Sequence, residues 1–232
     1  MFRFKQFSIE DNRCAMKVGT DAVLLGTWVS TTGTKRILDV GTGSGIIALM
    51  LAQRTGETVN IEGIEIEEAD AKQAQENLEE TPWCNRVLIH HCSVQNFRSP
   101  FRYDLIVSNP PYFNNSQLPP TAHRANARHT HSLSYKELLK HSVNMLKKKG
   151  RMAVVLPVEE GNQFLSLAKI YGLFCIRQLA FYSRKKKPQE RWLFEFSFHE
   201  QPVIKQTLTL HGEGEAWSDE YKNLTRDFYL KL

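Results

Sequence analysis

The chain has 232 residues, 41% hydrophobic and 24% charged, the balance of an ordinary globular protein long enough to bury a sizeable core. No apolar run approaches the ~18 to 20 residues of a membrane span, the opening Met1-Phe2-Arg3-Phe4-Lys5 lacks a signal-peptide core, and the four cysteines have neither C-x-x-C spacing nor the density of a disulfide framework. The expectation is a reduced cytoplasmic protein whose net charge of +5 permits a polyanionic partner without requiring one.

In chain order, the pattern predicts a helix over about 21–30, a strand at 35–40, a helix at 45–55, a strand at 59–65 and a helix at 67–80. Strands at 86–91 and 103–108 follow. Ser134-Tyr135-Lys136-Glu137 is a capping-box signature, so a helix starts there and ends before Gly150. A strand at 151–157, a helix to about Tyr171 and strands near 173–182 and 190–199 complete the run. Such alternation argues for a parallel sheet with helices on both faces. Trp28, Phe101, Trp192, Phe194, Phe196 and Phe198 read as core, the last three alternating as strand residues do. Trp217 to Leu232 reads as a helix or extended tail whose aromatic residues pack on the domain or meet a partner.

Two motifs carry chemistry. The first strand runs through Ile37-Leu38-Asp39-Val40 into Gly41-Thr42-Gly43-Ser44-Gly45, three alternate glycines before a helix. Glycines let the backbone turn tightly and approach a ligand closely, and strand, turn and helix in this order suit a nucleotide-type cofactor. Ile46 breaks the dinucleotide fingerprint, and no P-loop Lys-Ser or Lys-Thr follows. Glu65, twenty residues after Gly45, ends the second strand, where an acid can accept hydrogen bonds from ribose hydroxyls. The second motif, Asn109-Pro110-Pro111-Tyr112, ends the apolar run Leu105-Ile106-Val107. Prolines fix the backbone, and the Asn109 side-chain oxygen and the Pro110 carbonyl form a pair of acceptors matched to the two hydrogens of a planar amine. Tyr112 supplies a ring for stacking, worth roughly 1 to 3 kcal/mol per base.

Together these residues resemble a class I S-adenosylmethionine-dependent methyltransferase of the amino-methylating kind. More narrowly, Phe4-Lys5-Gln6-Phe7 and Met16-Lys17-Val18-Gly19-Thr20-Asp21-Ala22 resemble the bacterial tRNA1(Val) adenine-N6 methyltransferases, which modify the adenosine 3′ of the anticodon. The resemblance runs over nearly the whole chain. It implies an α/β, Rossmann-like fold with a seven-stranded, mostly parallel sheet, an antiparallel C-terminal strand and helices on both faces. It further implies one domain over 1–232, with residues 1–34 covering the cofactor site.

By resemblance, Asp39 and the Gly41, Thr42, Gly43 and Gly45 loop meet the methionyl part of S-adenosylmethionine, Glu65 the ribose, and Ile66, Ser93 and Val94 the adenine, with Asn109 beside the cofactor. Many relatives have Asp where Ser93 stands. Lys17, Thr20 and Asp21 would fold over the cofactor, although Thr20 also fits a helix N-cap. Asn109, Pro110 and Tyr112 are the catalytic residues, and the anticodon stem-loop of a tRNA is the partner of an enzyme expected to act as a monomer.

For the RNA, Pro111 and Phe113 flank the clamp, and the polar stretch 113–131 carries Arg124 and Arg128. A loop of this length is functional or disordered. Arg184, Lys185, Lys186, Lys187 and Arg191 lie between the last two strands and suit phosphate contact. Lys147-Lys148-Lys149-Gly150-Arg151 reads as cations favoured at a helix C-terminus. His90-His91-Cys92 and His129-Thr130-His131 lack the second half of a structural zinc site, so no metal is expected. The same clamp would also fit guanine N2 in rRNA or a glutamine amide. The stretch ahead of the first sheet strand is short for the substrate domain of the glutamine enzymes. A catalytically silent RNA-binding scaffold is the non-enzymatic alternative, and it would be expected to lose the acids and glycines retained here.

Overall fold

The computed structural model describes residues 1–14, 16–112 and 133–231. Its main sheet is built from β3 (Arg36–Val40), β4 (Asn60–Glu65), β5 (Val87–His91), β6 (Tyr103–Ser108), β7 (Leu146–Pro157), β8 (Phe174–Tyr182), β9 (Gln189–Ser197) and β10 (Ile204–Thr209), in the order β10-β8-β9-β7-β6-β3-β4-β5. All neighbours run parallel except β9, which is antiparallel to both β7 and β8. The class I methyltransferase-type arrangement expected from the sequence is therefore present, with one strand more than expected. β10 escaped notice because it is an edge strand with only Leu208 buried, so it shows neither an apolar run nor clean alternation.

Helices α1 (Thr20–Trp28), α2 (Ile46–Arg54), α3 (Glu68–Glu79), α4 (Tyr135–Met145), α5 (Val158–Ile170) and α6 (Asp219–Thr225) pack around it. Along each strand successive side chains point to opposite faces. Ile37, Leu105 and Val107 accordingly join a core with α1 and α2, and Leu38 and Ile106 one with α4 and α5. The capping box at Ser134 forms as expected, with its hydroxyl accepting from the Glu137 N–H and the Glu137 carboxylate from the Ser134 N–H, both at 3.2 Å. Thr20 is not a cap: Gly19 takes that position and Thr20 is the first residue of α1.

Three further expectations are corrected. Phe101 is 48% exposed, with the Arg36 guanidinium 3.5 Å above its ring. Trp192 and Phe198 are half-buried rather than core. Lys147 to Lys149 belong to β7, which begins at Leu146, and Lys147 pairs with Asp104 at 2.9 Å.

The two ends of the chain meet. A short β1 (Phe2–Arg3) and β2 (Ser8–Ile9) pair with each other, Phe4 bridges Tyr229, and the Lys5 N–H donates to the Phe228 carbonyl at 2.8 Å. Phe4 stacks on Phe7 at 4.7 Å and on Tyr229 at 6.0 Å, and Tyr229 lies 4.9 Å from Trp217. The tail's aromatic residues thus pack on the protein itself. Beyond this clasp, the Glu10 N–H donates to Asn77 and the Asp11 carboxylate accepts from the Val18 N–H, which carries the strap across α3 toward α1. Phe228 is 2% exposed. Replacing Phe228 with Ala should cost about 3 to 5 kcal/mol in chemical denaturation. Hydrogen exchange should then show lost protection at Lys5 but not in β3; equal loss in both would mean that the clasp is not a separate unit.

Candidate active site

The site lies at the carboxyl ends of the central strands, where ligands bind in open α/β sheets. As β3 ends, the N–H groups of Gly41 and Thr42 both donate to the Ile64 carbonyl, at 2.9 and 3.1 Å. Gly41, Gly43 and Gly45 have φ of +73°, +54° and +84°, conformations that a side chain rarely tolerates. Glu65, at the tip of β4, holds this turn. One of its oxygens accepts from the Gly43 N–H at 2.9 Å, and the other from the Ile66 and Glu67 N–H groups at 2.8 and 3.0 Å. Burial raises its pKa, against the lowering effect of these three donors.

Asp39 is fully buried behind the turn, with Oδ2 accepting from the Thr42 hydroxyl at 2.7 Å. Its Oδ1 meets no hydrogen-bond donor among the described residues. Burial pushes its pKa up to about 7, opposed by the Thr42 hydrogen bond. Asp39, Thr42 and Gly45 support the turn rather than line the space in front of it.

That space is a recess of about 230 Å³, whose walls include Gly41, Gly43, Glu65, Ile66, Ser93, Val94 and Asn109, the cluster expected from the sequence. Met16, Asp70, Gln95 and Leu133 also line it and were not anticipated. Gln95 could have been found as the next residue after Ser93 and Val94; Met16 carries no signal of its own. A second recess of about 330 Å³ lies beyond Asn109, lined by Lys17, Thr20, Asp21, Phe181, Glu190 and Arg191 among others. Lys17, Thr20 and Asp21 therefore face the second recess, and Met16 and Asn109 form the wall common to both.

Asn109 follows β6, which is tied to β3 by the Ser108 hydroxyl donating to the Val40 carbonyl at 2.7 Å. Pro110 is buried and Pro111 exposed. The Tyr112 hydroxyl donates to Asp21 Oδ2 at 2.6 Å and lies 2.9 Å from Asn109 Oδ1. Burial, with the Asp21 charge beside it, raises the Tyr112 pKa. Arg191 donates to the same Asp21 oxygen at 2.9 Å and sits 5.5 Å from the centre of the Tyr112 ring. Arg184 pairs with Glu215 at 2.6 Å, while Lys185, Lys186 and Lys187 are exposed in the turn between β8 and β9. Phe113, Arg124 and Arg128 lie outside the described residues. Among those described, no group of three or more His, Cys, Asp or Glu side chains could hold a metal, and no helix is long and apolar enough to cross a membrane.

Residues 14–174 match the model of the methyltransferase small domain family. A protein of Trichodesmium erythraeum named tRNA1(Val) (adenine(37)-N6)-methyltransferase is 46% identical over 99% of this chain and 98% of its own length. Its namesake in Bacteroides thetaiotaomicron is 44% identical over 100% and 98%. Among solved structures, a protein of Agrobacterium tumefaciens described as a predicted O-methyltransferase superposes with a TM-score of 0.72 at 15% identity, over 90% of this chain and 96% of that one. The glycopeptide N-methyltransferase MtfA, solved in complex with S-adenosyl-L-methionine, gives a TM-score of 0.57 at 12% identity over 79% and 90%. At these identities the structures share the fold.

The buried acid behind the turn has a consequence for stability. Its folded-state pKa of about 7 stands above the ordinary aspartate value of about 4, so the folded chain keeps a proton that the unfolded chain releases. Its contribution is most favourable below pH 4 and is lost as the pH rises toward 7. At about 1.4 kcal/mol per pH unit, the loss reaches at most about 4 kcal/mol. An Asp39→Asn variant should therefore match wild type near pH 4 and exceed it increasingly in thermal unfolding up to pH 8. A stability difference independent of pH would remove the buried charge as its cause.

Proposed function

Because the chain belongs to the methyltransferase small domain family and, within it, to the tRNA1(Val) (adenine-N6)-methyltransferases, we propose that it methylates the N6 amine of adenosine 37, beside the anticodon of tRNA1(Val), using S-adenosylmethionine. The observation that carries this reading is the position of Asn109, at the end of β6 and in the wall between the two recesses. A group that must meet a donor on one side and an amine on the other belongs in that place.

The first recess suits the cofactor. A Cβ at Gly41 or Gly43 would stand in open space, so these glycines leave room for a ligand against the turn. Glu65 Oε2 keeps a lone pair for a ribose hydroxyl beside the Gly43 N–H it accepts. Ile66, 41% exposed, offers apolar surface to an adenine, with Ser93 and Val94 on the neighbouring wall. When bound, S-adenosylmethionine supplies an electron-poor methyl group on a sulfonium. Residues 1–34, with Met16 at the junction, form the cover over this site within a single domain.

The target adenine approaches Asn109 by way of the second recess, whose lining includes neither Pro110, which lines the first recess, nor Tyr112. Asn109 Oδ1 and the Pro110 carbonyl accept the two amine hydrogens, restoring the lone pair that the ring delocalises, and they stabilise the positive charge that develops on nitrogen. The proton then leaves to water. A base in a tRNA loop must be splayed out at a cost of a few kcal/mol, offset in part by stacking on Tyr112. Holding the reacting groups in near-attack geometry contributes roughly 7 to 11 kcal/mol. Phe181 at the end of β8 and Arg191 near the start of β9 bracket the recess, so the basic turn 184–187 stands beside it for phosphate contact. By residue type, Pro111, Phe113, Arg124 and Arg128 are the remaining candidates for RNA contact.

The test is methyl transfer from labelled S-adenosylmethionine to total tRNA lacking the modification, followed by digestion to nucleosides. Wild type should label N6-methyladenosine, and Asn109→Ala should lower kcat by about 10²- to 10³-fold, the range for losing one preorganised polar group. Label in methylguanosine, or in protein alone, would overturn the assignment to adenine.

A further inference from the structure

The contact between Tyr112, Asp21 and Asn109 presents an arithmetic problem. A phenol has one hydrogen to give, yet the Tyr112 oxygen lies within hydrogen-bonding distance of two acceptors, Asp21 Oδ2 at 2.6 Å and Asn109 Oδ1 at 2.9 Å. A carboxylate accepts more strongly and at shorter range than an amide carbonyl, and the distances agree. Asp21 is held in place for this by Arg191, a residue 170 positions away in sequence, whose Nε donates to the same oxygen at 2.9 Å. Burial and the neighbouring Asp21 charge keep Tyr112 protonated, so the hydrogen is always present and must go to one acceptor or the other.

On the reading that Asn109 grips the target amine, we infer that Asp21 is a positioning residue: it captures the Tyr112 hydrogen and thereby keeps the Asn109 carbonyl free for the substrate. With the hydrogen committed to Asp21, Tyr112 faces Asn109 with a lone pair. A half-turn of the amide then lets its N–H donate to Tyr112 while Oδ1 faces the amine. Without Asp21, the phenolic hydrogen falls on Asn109 Oδ1 and competes with the amine for the same lone pairs. Asp21 thus acts on the reaction through Tyr112 and Asn109, from the wall of the second recess.

This makes removal of the Tyr112 hydroxyl a remedy for loss of Asp21. The experiment measures kcat and KM for tRNA at saturating S-adenosylmethionine with wild type, Asp21→Ala, Tyr112→Phe and the double variant. Asp21→Ala should lower kcat by about 10- to 100-fold, less than outright loss of a transition-state contact. The double variant, which keeps the aromatic ring but has no hydrogen to misplace, should be at least about 5-fold faster than Asp21→Ala, a strongly non-additive pair. If Asp21 served only to brace Arg191 or the end of α1, the second substitution could not restore kcat, and a double variant no faster than Asp21→Ala would sink the inference. Should Asp21→Ala fail to fold, Asp21→Asn keeps the shape without the charge and should show a smaller loss with the same rescue. A wild type with no transfer to tRNA would defeat the proposed function and this inference together, whereas an active wild type without rescue defeats the inference alone.

Discussion

Everything at the site hangs on two buried carboxylates beneath one glycine turn. Gly43 would leave its N–H unpaired if Glu65 were not there to accept it, and Thr42 would have no anchor without Asp39. Unpaired buried donors are costly, so the acids give the turn one shape. That shape in turn sets where β3 hands over to α2, and how open the space in front of the sheet remains. The arrangement runs against stability at neutral pH, since a fully buried Asp39 is harder to ionise than a solvated one. Charge burial of this kind concentrates where a fold must meet a ligand.

The second half of the site obeys a different constraint. Its walls come from α1, from the residues after β6, and from the ends of β8 and β9, elements far apart in the chain. The antiparallel insertion of β9 between β7 and β8 is what brings Arg191 back to the carboxyl edge, within reach of Asp21. Without that reversal, the start of β9 would lie at the opposite edge of the sheet.

Much of this is legible in the sequence. β3, β4, β5 and β6 stand within a residue of their expected bounds, because short runs with apolar residues at their centres mark buried strands, whereas β7 begins five residues early, at Leu146, through a lysine-rich stretch that shows no strand pattern. The Ser134 capping box is a local signal and formed as read. The failures share a cause too. Thr20, Phe101 and Lys147 were judged by residue type in local context, yet their positions are set by Gly19, Arg36 and Asp104, partners that local pattern does not reveal. β10 is polar along most of its length, and the shared wall at Met16 exists only once the strap is folded over the site. The contact of Tyr112 with Asp21 is of the same kind: each residue was singled out, but their meeting is a fact of topology.

The clasp of Phe4 with Phe228 and Tyr229 also has a meaning in time. Domains fold during synthesis from the amino end onward, at about 5 to 20 residues per second. The central strands around β3, β4 and β6 are all made well before the tail, and Phe7 can already pack on Trp83, but Phe4 and the Lys5 N–H meet their partners only once Phe228 and Tyr229 have been made. The nascent chain therefore carries a nearly finished sheet with the Phe4–Lys5 end of the strap still unpaired, and closes it in a late event. The order of synthesis thus withholds the clasp until residues 228 and 229 have been added.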